Sequence, residues 1–203
     1  MINEDLRPKE LDRVKLLDWV MIIGGAIAIG TTGIIGLGIK AYNNALDPQR
    51  AEAVAKTMIN YRIPGGSQGK FGIKFAGMKL AIVHSKTSPP DVEIFVMQTP
   101  LNRDTQNQED IERIRTPLEP TPIEFEVTSS SIQKLKFCNI PMDVTIDQGD
   151  YTLEKDDQTS IVPAVQYSAS TIKNEQRLIV EVQALGKNAK QKALAVFQSI
   201  KCK

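Results

Sequence analysis

His84 is the only histidine among 203 residues, so any imidazole acid–base chemistry would have to run through it. It follows Met78, Leu80 and Ile82 on one face of an alternating segment, which reads as a hydrogen-bonded strand-end residue. Ser85 is next in sequence and therefore points to the opposite face of a strand, so the two do not form a nucleophile–base pair. Pro64-Gly65-Gly66-Ser67-Gln68-Gly69-Lys70-Phe71 has the glycines and lysine of a phosphate loop but fails its pattern. Pro64 stands where the first glycine belongs, and Phe71 stands where a metal-binding Ser or Thr belongs. The expected order there is also helix to strand, so no helix N-terminus would face a phosphate. Asp147, Asp150, Asp156 and Asp157 could meet a hard cation, yet they lack the spacing and bidentate glutamate of an EF-hand and read as solvated turn acids. Glu124 and Glu126 share a strand face, but nothing marks them as an acid–base pair. No catalytic, cofactor-binding or metal-ligating residue, no cofactor and no enzymatic activity is expected of this chain.

Cys138 and Cys202 are the two cysteines, too few for an all-cysteine zinc site or an iron–sulfur cluster held by one chain. Cys138 ends an expected strand and Cys202 follows an expected terminal helix. A bridge between them would tie that helix to the sheet and close a loop of about 65 residues, worth about 4 kcal/mol in the chain-entropy model. Such a bridge places the domain on the oxidising side of a membrane; the competing arrangement is two separate thiols in a reducing cytosol.

Composition sets the outer bounds. Lys and Arg number 25 against 24 Asp and Glu, a formal charge of +1, which removes the basic footprint of a nucleic-acid binder. Six of the 13 glycines crowd into Val20–Ile39, VMIIGGAIAIGTTGIIGLGI, which has no charged residue. Twenty helical residues span about 30 Å, the thickness of a hydrocarbon core. Trp19 and Tyr42 bracket the run at interfacial positions. Ala26-Ile27-Ala28 has a small-x-small pattern, but the apolar run continues well past it and the preceding segment is long and of mixed charge, so the expectation is an uncleaved anchor. Ala26, Gly30 and Gly33, with Ala28, Thr32 and Gly36, form rows of small residues suited to docking against another membrane helix. Four Lys or Arg before the run and three after it place the N-terminus in the cytoplasm by a narrow margin.

These features predict residues 1–18 as a short polar tail, 19–41 as a transmembrane anchor and 42–203 as a soluble α+β domain. In that domain Asp47-Pro48 opens a helix ending near Tyr61. Strands are expected at Phe71–Phe75, Met78–Ser85 and Val92–Gln98, and a polar, proline-containing insertion at about 99–122. Further strands are expected at Ile123–Thr128, Ile132–Phe137, Asp143–Ile146 and Tyr151–Glu154, with Asp147-Gln148-Gly149-Asp150 as the hairpin turn between the last two. Val162–Ser168 and Arg177–Leu185 close the sheet, and Gly186 leads into a final amphipathic helix. The overall expectation is a mainly antiparallel sheet flanked by an N-terminal and a C-terminal helix.

The succession RLIVEVQAL (177–185) and NAKQKALAVFQSIK (188–201) resembles the ending of PsbP-like domains, in which a last strand feeds a helix packed on the sheet. Arg50–Pro100, with YRIPGGSQG between helix and strands, resembles membrane-anchored proteins of unknown function from cyanobacteria. Neither resemblance carries a catalytic motif or a transferable binding residue. Together they imply a fold and a photosynthetic-membrane setting.

The functional expectation is a single-pass structural or accessory protein. Its N-terminus would be cytoplasmic and its C-terminal domain periplasmic or lumenal. Its partners would be the bilayer and another membrane protein or complex, with no nucleic acid. The alternative is a tethered ligand-binding module or enzyme, which requires an apolar pocket with convergent polar groups.

Overall fold

Apolar alternation runs through most of the chain beyond residue 66, and it is expressed as one long antiparallel sheet. The computed structural model describes residues 40–101, 125–155 and 158–203. The chain divides into two units, Met1–Asn43 and Asn44–Lys203. In the first, the described residues 40–43 are helical. In the second, residues 44–45 are also helical and α1 (Pro48–Met58) follows, where Asp47 Oδ1 accepts the Arg50 amide at 2.7 Å and Pro48 fills a first-turn position that needs no donor. The helix buries Ala51, Val54, Ala55 and Met58 and passes directly into β1 (Ile59–Asn60).

The seven main strands are β2 (Ser67–Phe75), β3 (Met78–Ser85), β4 (Val92–Pro100), β5 (Phe125–Phe137), β6 (Ile140–Lys155), β7 (Gln158–Lys173) and β8 (Gln176–Leu185), arranged β2-β3-β4-β8-β7-β6-β5. Every neighbouring pair is antiparallel. Three two-residue turns, Ala76-Gly77, Cys138-Asn139 and Asn174-Glu175, have positive φ at both positions, the hairpin geometry whose twist matches that of the flanking strands. The alternation of strand direction puts all three at one end of the sheet. α2 (Ala189–Ser199) follows β8, and β9 (Lys201–Cys202) then pairs with β1, Ile59 opposite Cys202.

Both helices cover the same face. Val83, Ile94, Val180, Val182, Tyr167 and Ile146 meet Val54 and Met58 of α1 and Val196 and Phe197 of α2 in the larger core. The Phe197 ring centre lies 5.5 Å from Phe137 and 5.7 Å from Tyr167. On the other face Phe71, Leu80, Ile82, Phe95, Met97 and Ile179 form a smaller cluster.

These observations correct the expected fold class. Strands make up 60% of the described residues, so the domain is mainly β rather than α+β. The excess arises where short expected strands are continuous. β6 runs unbroken through Asp147-Gln148-Gly149-Asp150, so no hairpin turn lies there. Gly149 instead faces a bulge between Val127 and Ser129, and a β-carbon on it would collide with the Glu126 carbonyl. A glycine inside a strand commonly marks such a close approach.

The single-pass reading is corrected as well. Among the described residues no helix is long and apolar enough to cross a membrane; α1 and α2 have 11 residues each, about 16 Å against the 30 Å required. Residues 19–39 of the expected anchor, including Ala26, Ala28, Gly30, Thr32, Gly33 and Gly36, lie outside the described residues. Among the described residues nothing supplies the span that localisation as a single-pass protein with a periplasmic or lumenal domain requires.

Candidate functional site

Most of the residues weighed for chemistry are dispersed. His84 Nδ1 lies 2.8 Å from the Ser85 carbonyl, and because a carbonyl only accepts, that nitrogen carries the proton. Ser85 is 1% exposed and its hydroxyl donates to Asp91 Oδ1 at 2.8 Å, on the other side of the sheet from His84. Lys192 of α2 completes this cluster, reaching Asp91 Oδ2 at 2.6 Å, while Thr87 donates to Oδ1 at 2.8 Å. Burial alone pushes the Asp91 pKa up, but hydrogen bonds from Lys192, Thr87 and Ser85, with the charge of Lys192, outweigh it and hold the carboxyl below its ordinary value. With its serine sealed from solvent, the cluster fastens the β3–β4 loop to α2.

Lys70, the lysine of the glycine-rich segment, pairs with Glu93 at 3.2 Å, and the segment leads into β2 rather than a helix. Asp147 and Asp150 are three residues apart in one strand and therefore project from opposite faces. Asp156, Asp157 and Glu124 lie outside the described residues, and Glu126 sits beside the β5 bulge opposite Asp150. Among the described residues no group of three or more His, Cys, Asp or Glu could hold a metal ion.

The two cysteines do come together. Cys138 and Cys202 form a disulfide with their α-carbons 5.0 Å apart across a sequence separation of 64. Cys138 is the first residue of the β5–β6 turn, in the left-handed region at φ 53°, which sequence had placed merely at a strand end. Cys202 is brought to it by the β1–β9 pairing.

The bridge forms part of the wall of a cavity of about 300 Å³ at the end of the sheet that carries the tight turns. Met58 at the end of α1, Leu178 on β8 and Ile140 at the start of β6 supply apolar surface. Gln98, Thr171 and Lys173 supply polar groups. Gln98 Oε1 is buried without a hydrogen-bond partner among the described residues. A buried carbonyl left in that state costs about 1–3 kcal/mol, and because the oxygen is sealed even from water, a ligand donor recovers it only when the Gln98 side chain turns toward the cavity. Lys173 Nζ, at the rim, donates to the Lys203 carbonyl at 3.4 Å, a long contact that a better acceptor could displace. The arrangement offers apolar sides, a sealed acceptor in the wall and a cation near the mouth.

Sequence reasoning missed this site because its lining comes from α1, four main strands, two turns and β9. One signal was present: Val92, Ile94 and Val96 form the inward row of β4, and Gln98 continues that row as a polar residue.

No protein-family model and no curated protein matches this chain. Among solved structures, the chain is similar to the crystal structure of LpqN, involved in cell envelope biogenesis of Mycobacterium tuberculosis. The identity is 8%, the match covers 75% of this chain and 95% of that one, and the TM-score is 0.38. A likeness that distant carries no argument about this chain's activity, and it does not bear on the cyanobacterial and PsbP-like resemblances.

Proposed function

We propose that residues 44–203 form a non-catalytic module that binds a small amphipathic ligand in the cavity beside the disulfide. The observation that carries this reading is the buried, unpartnered Gln98 Oε1 in the wall of a 300 Å³ cavity with apolar sides. That volume is at the small end of ligand sites, and the mixture of mainly apolar surface with a few polar groups is what such sites use to combine affinity with orientation. No nucleophile–base pair stands at the cavity, so the chemistry it supports is recognition. The disulfide fits a module that works in oxidising surroundings.

Indole-3-acetate is a suitable probe, because it joins an N–H donor, an apolar ring and a carboxylate. Titration followed by amide chemical shifts is expected to perturb Met58, Gln98, Thr171 and Leu178 while leaving the Ser85–Asp91 region unchanged. Gln98→Leu removes the acceptor at nearly constant volume, so it should weaken binding about tenfold, equivalent to about 1.4 kcal/mol, without destabilising the free protein. Shifts scattered over the surface, or unaltered affinity in Gln98→Leu, would count against the site.

The second reading is an accessory domain that contacts a protein partner. It is favoured by β5, an edge strand in which nine consecutive residues, 126–134, are exposed.

A further inference from the structure

We propose that β5 is a self-association edge, on which a second copy of this chain adds its own β5 antiparallel, through a two-fold axis at Ser130, to extend the sheet. Among the described residues β5 pairs with β6 alone, and its outer side presents backbone donors and acceptors over 13 residues. Edge strands are ordinarily blunted by shortness, proline, charge or a bulge, and of these β5 carries only the bulge between Val127 and Ser129 and charges toward its ends. Here Lys134 and Lys136 sit together at one end, and Val127–Gln133 (VTSSSIQ) has neither charge nor proline.

The register with β6 identifies the partner as a copy. Val127 lies opposite Gly149, Ser130 opposite Asp147 and Ile132 opposite Thr145. Positions 145, 147 and 149 share one face of β6, so Val127, Ser130 and Ile132 share that face of β5. The bulge after Val127 absorbs the odd residue, leaving Val127 and Ile132 equally distant from Ser130 when measured along β6. A two-fold axis at Ser130, perpendicular to the sheet, therefore sets Val127 of each copy against Ile132 of the other, twice. These are large apolar residues left 48% and 70% exposed in the single chain. On the same rows Lys134 meets Phe125, and on the opposite face Glu126 meets Gln133, so no like charges face each other. An isologous contact of this kind closes on itself and leaves no further edge at β5. A foreign strand would gain the backbone bonds but not this reciprocal match.

Analytical ultracentrifugation of the full chain from about 10 µM to about 1 mM, the range suited to a small contact, tests the proposal. Wild type should shift with concentration to twice the single-chain mass. Val127→Lys/Ile132→Lys should remain single at every concentration with unchanged circular dichroism, whereas Ile161→Lys, at an exposed apolar residue on β7, should behave as wild type. The register is read separately by oxidising Ser130→Cys, which should give a covalent dimer because the two residues face each other across the axis; Lys134→Cys should not. Wild type that stays single at the highest concentration overturns the proposal. So does undiminished association of a folded double variant, or cross-linking at 134 in preference to 130.

Discussion

Removing the Cys138–Cys202 bridge separates what the core supports from what the cross-link supports. The bridge closes a loop with a sequence separation of 64, and the chain-entropy model assigns such a closure about 4 kcal/mol through restriction of the unfolded chain. In the folded protein α2 does not depend on it, because Ala193, Val196 and Phe197 are fully buried and Phe197 stacks on Phe137. The two-residue β1–β9 ladder, with the Lys203 amide donating to the Met58 carbonyl at 3.1 Å, is what the bridge holds in place. Cys138→Ala/Cys202→Ala should therefore keep the sheet and α2 but lose about 3–4 kcal/mol of unfolding free energy. At a urea slope of about 2 kcal/mol/M the midpoint falls by about 2 M, and the slope rises slightly because the unfolded chain expands. Urea titration by far-UV circular dichroism measures both, and hydrogen exchange adds the location: the amide of Lys203 should lose protection while that of Phe197 keeps it. A midpoint within about 0.3 M of wild type would refute the loop-closure argument. A double variant already unfolded in water would refute the independence of the α2 packing.

Two further expectations concern stability. Asp91 has a lower pKa folded than unfolded, so its contribution is complete above its ordinary value of 3.8 and is lost as pH falls below that toward the folded value. Asp91→Asn should cost about 1.5–3 kcal/mol near neutrality, and the gap to wild type should close below about pH 4; a gap that stays constant from neutral to acid would exclude the carboxylate as its source. Gly149→Ala should destabilise by about 1–3 kcal/mol in a urea titration, since the new β-carbon meets the backbone carbonyl of Glu126 rather than a side chain that can swing aside. Wild-type stability in that variant would show that the bulge relaxes freely.

How legible the fold was in sequence depended on whether the decisive signal was local. Met78–Ser85 is the observed β3 because its apolar alternation and the flanking turn residues are contained within one window. The start of α1 was legible for the same reason, in the side-chain cap at Asp47 and the proline beside it. Asp147-Gln148-Gly149-Asp150 misled because its turn-like composition is equally suited to a strand whose glycine admits a neighbouring bulge, and that neighbour is more than 20 residues away. Cys138-Asn139 was missed as a turn because a cysteine at positive φ lacks the usual glycine or asparagine at the first turn position. The cavity was less legible still. Gln98 can be seen to continue an apolar row, but Met58, Ile140 and Leu178 converge on it only after four strands and a helix have packed.

Sequence by itself determined the single histidine, the absence of a complete phosphate-loop pattern, the pair of cysteines and the alternation that commits most of the chain to strands, since each depends on residue identity and short spacing. Tertiary structure alone decided that the strands merge into one mainly β sheet, that the cysteines join beside a cavity, that Gln98 Oε1 is buried there unpartnered, and that β5 remains at an exposed edge. Those outcomes depend on contacts between residues distant in the chain, where register, burial and the closing of one element on another set the chemistry, and no local window contains that information.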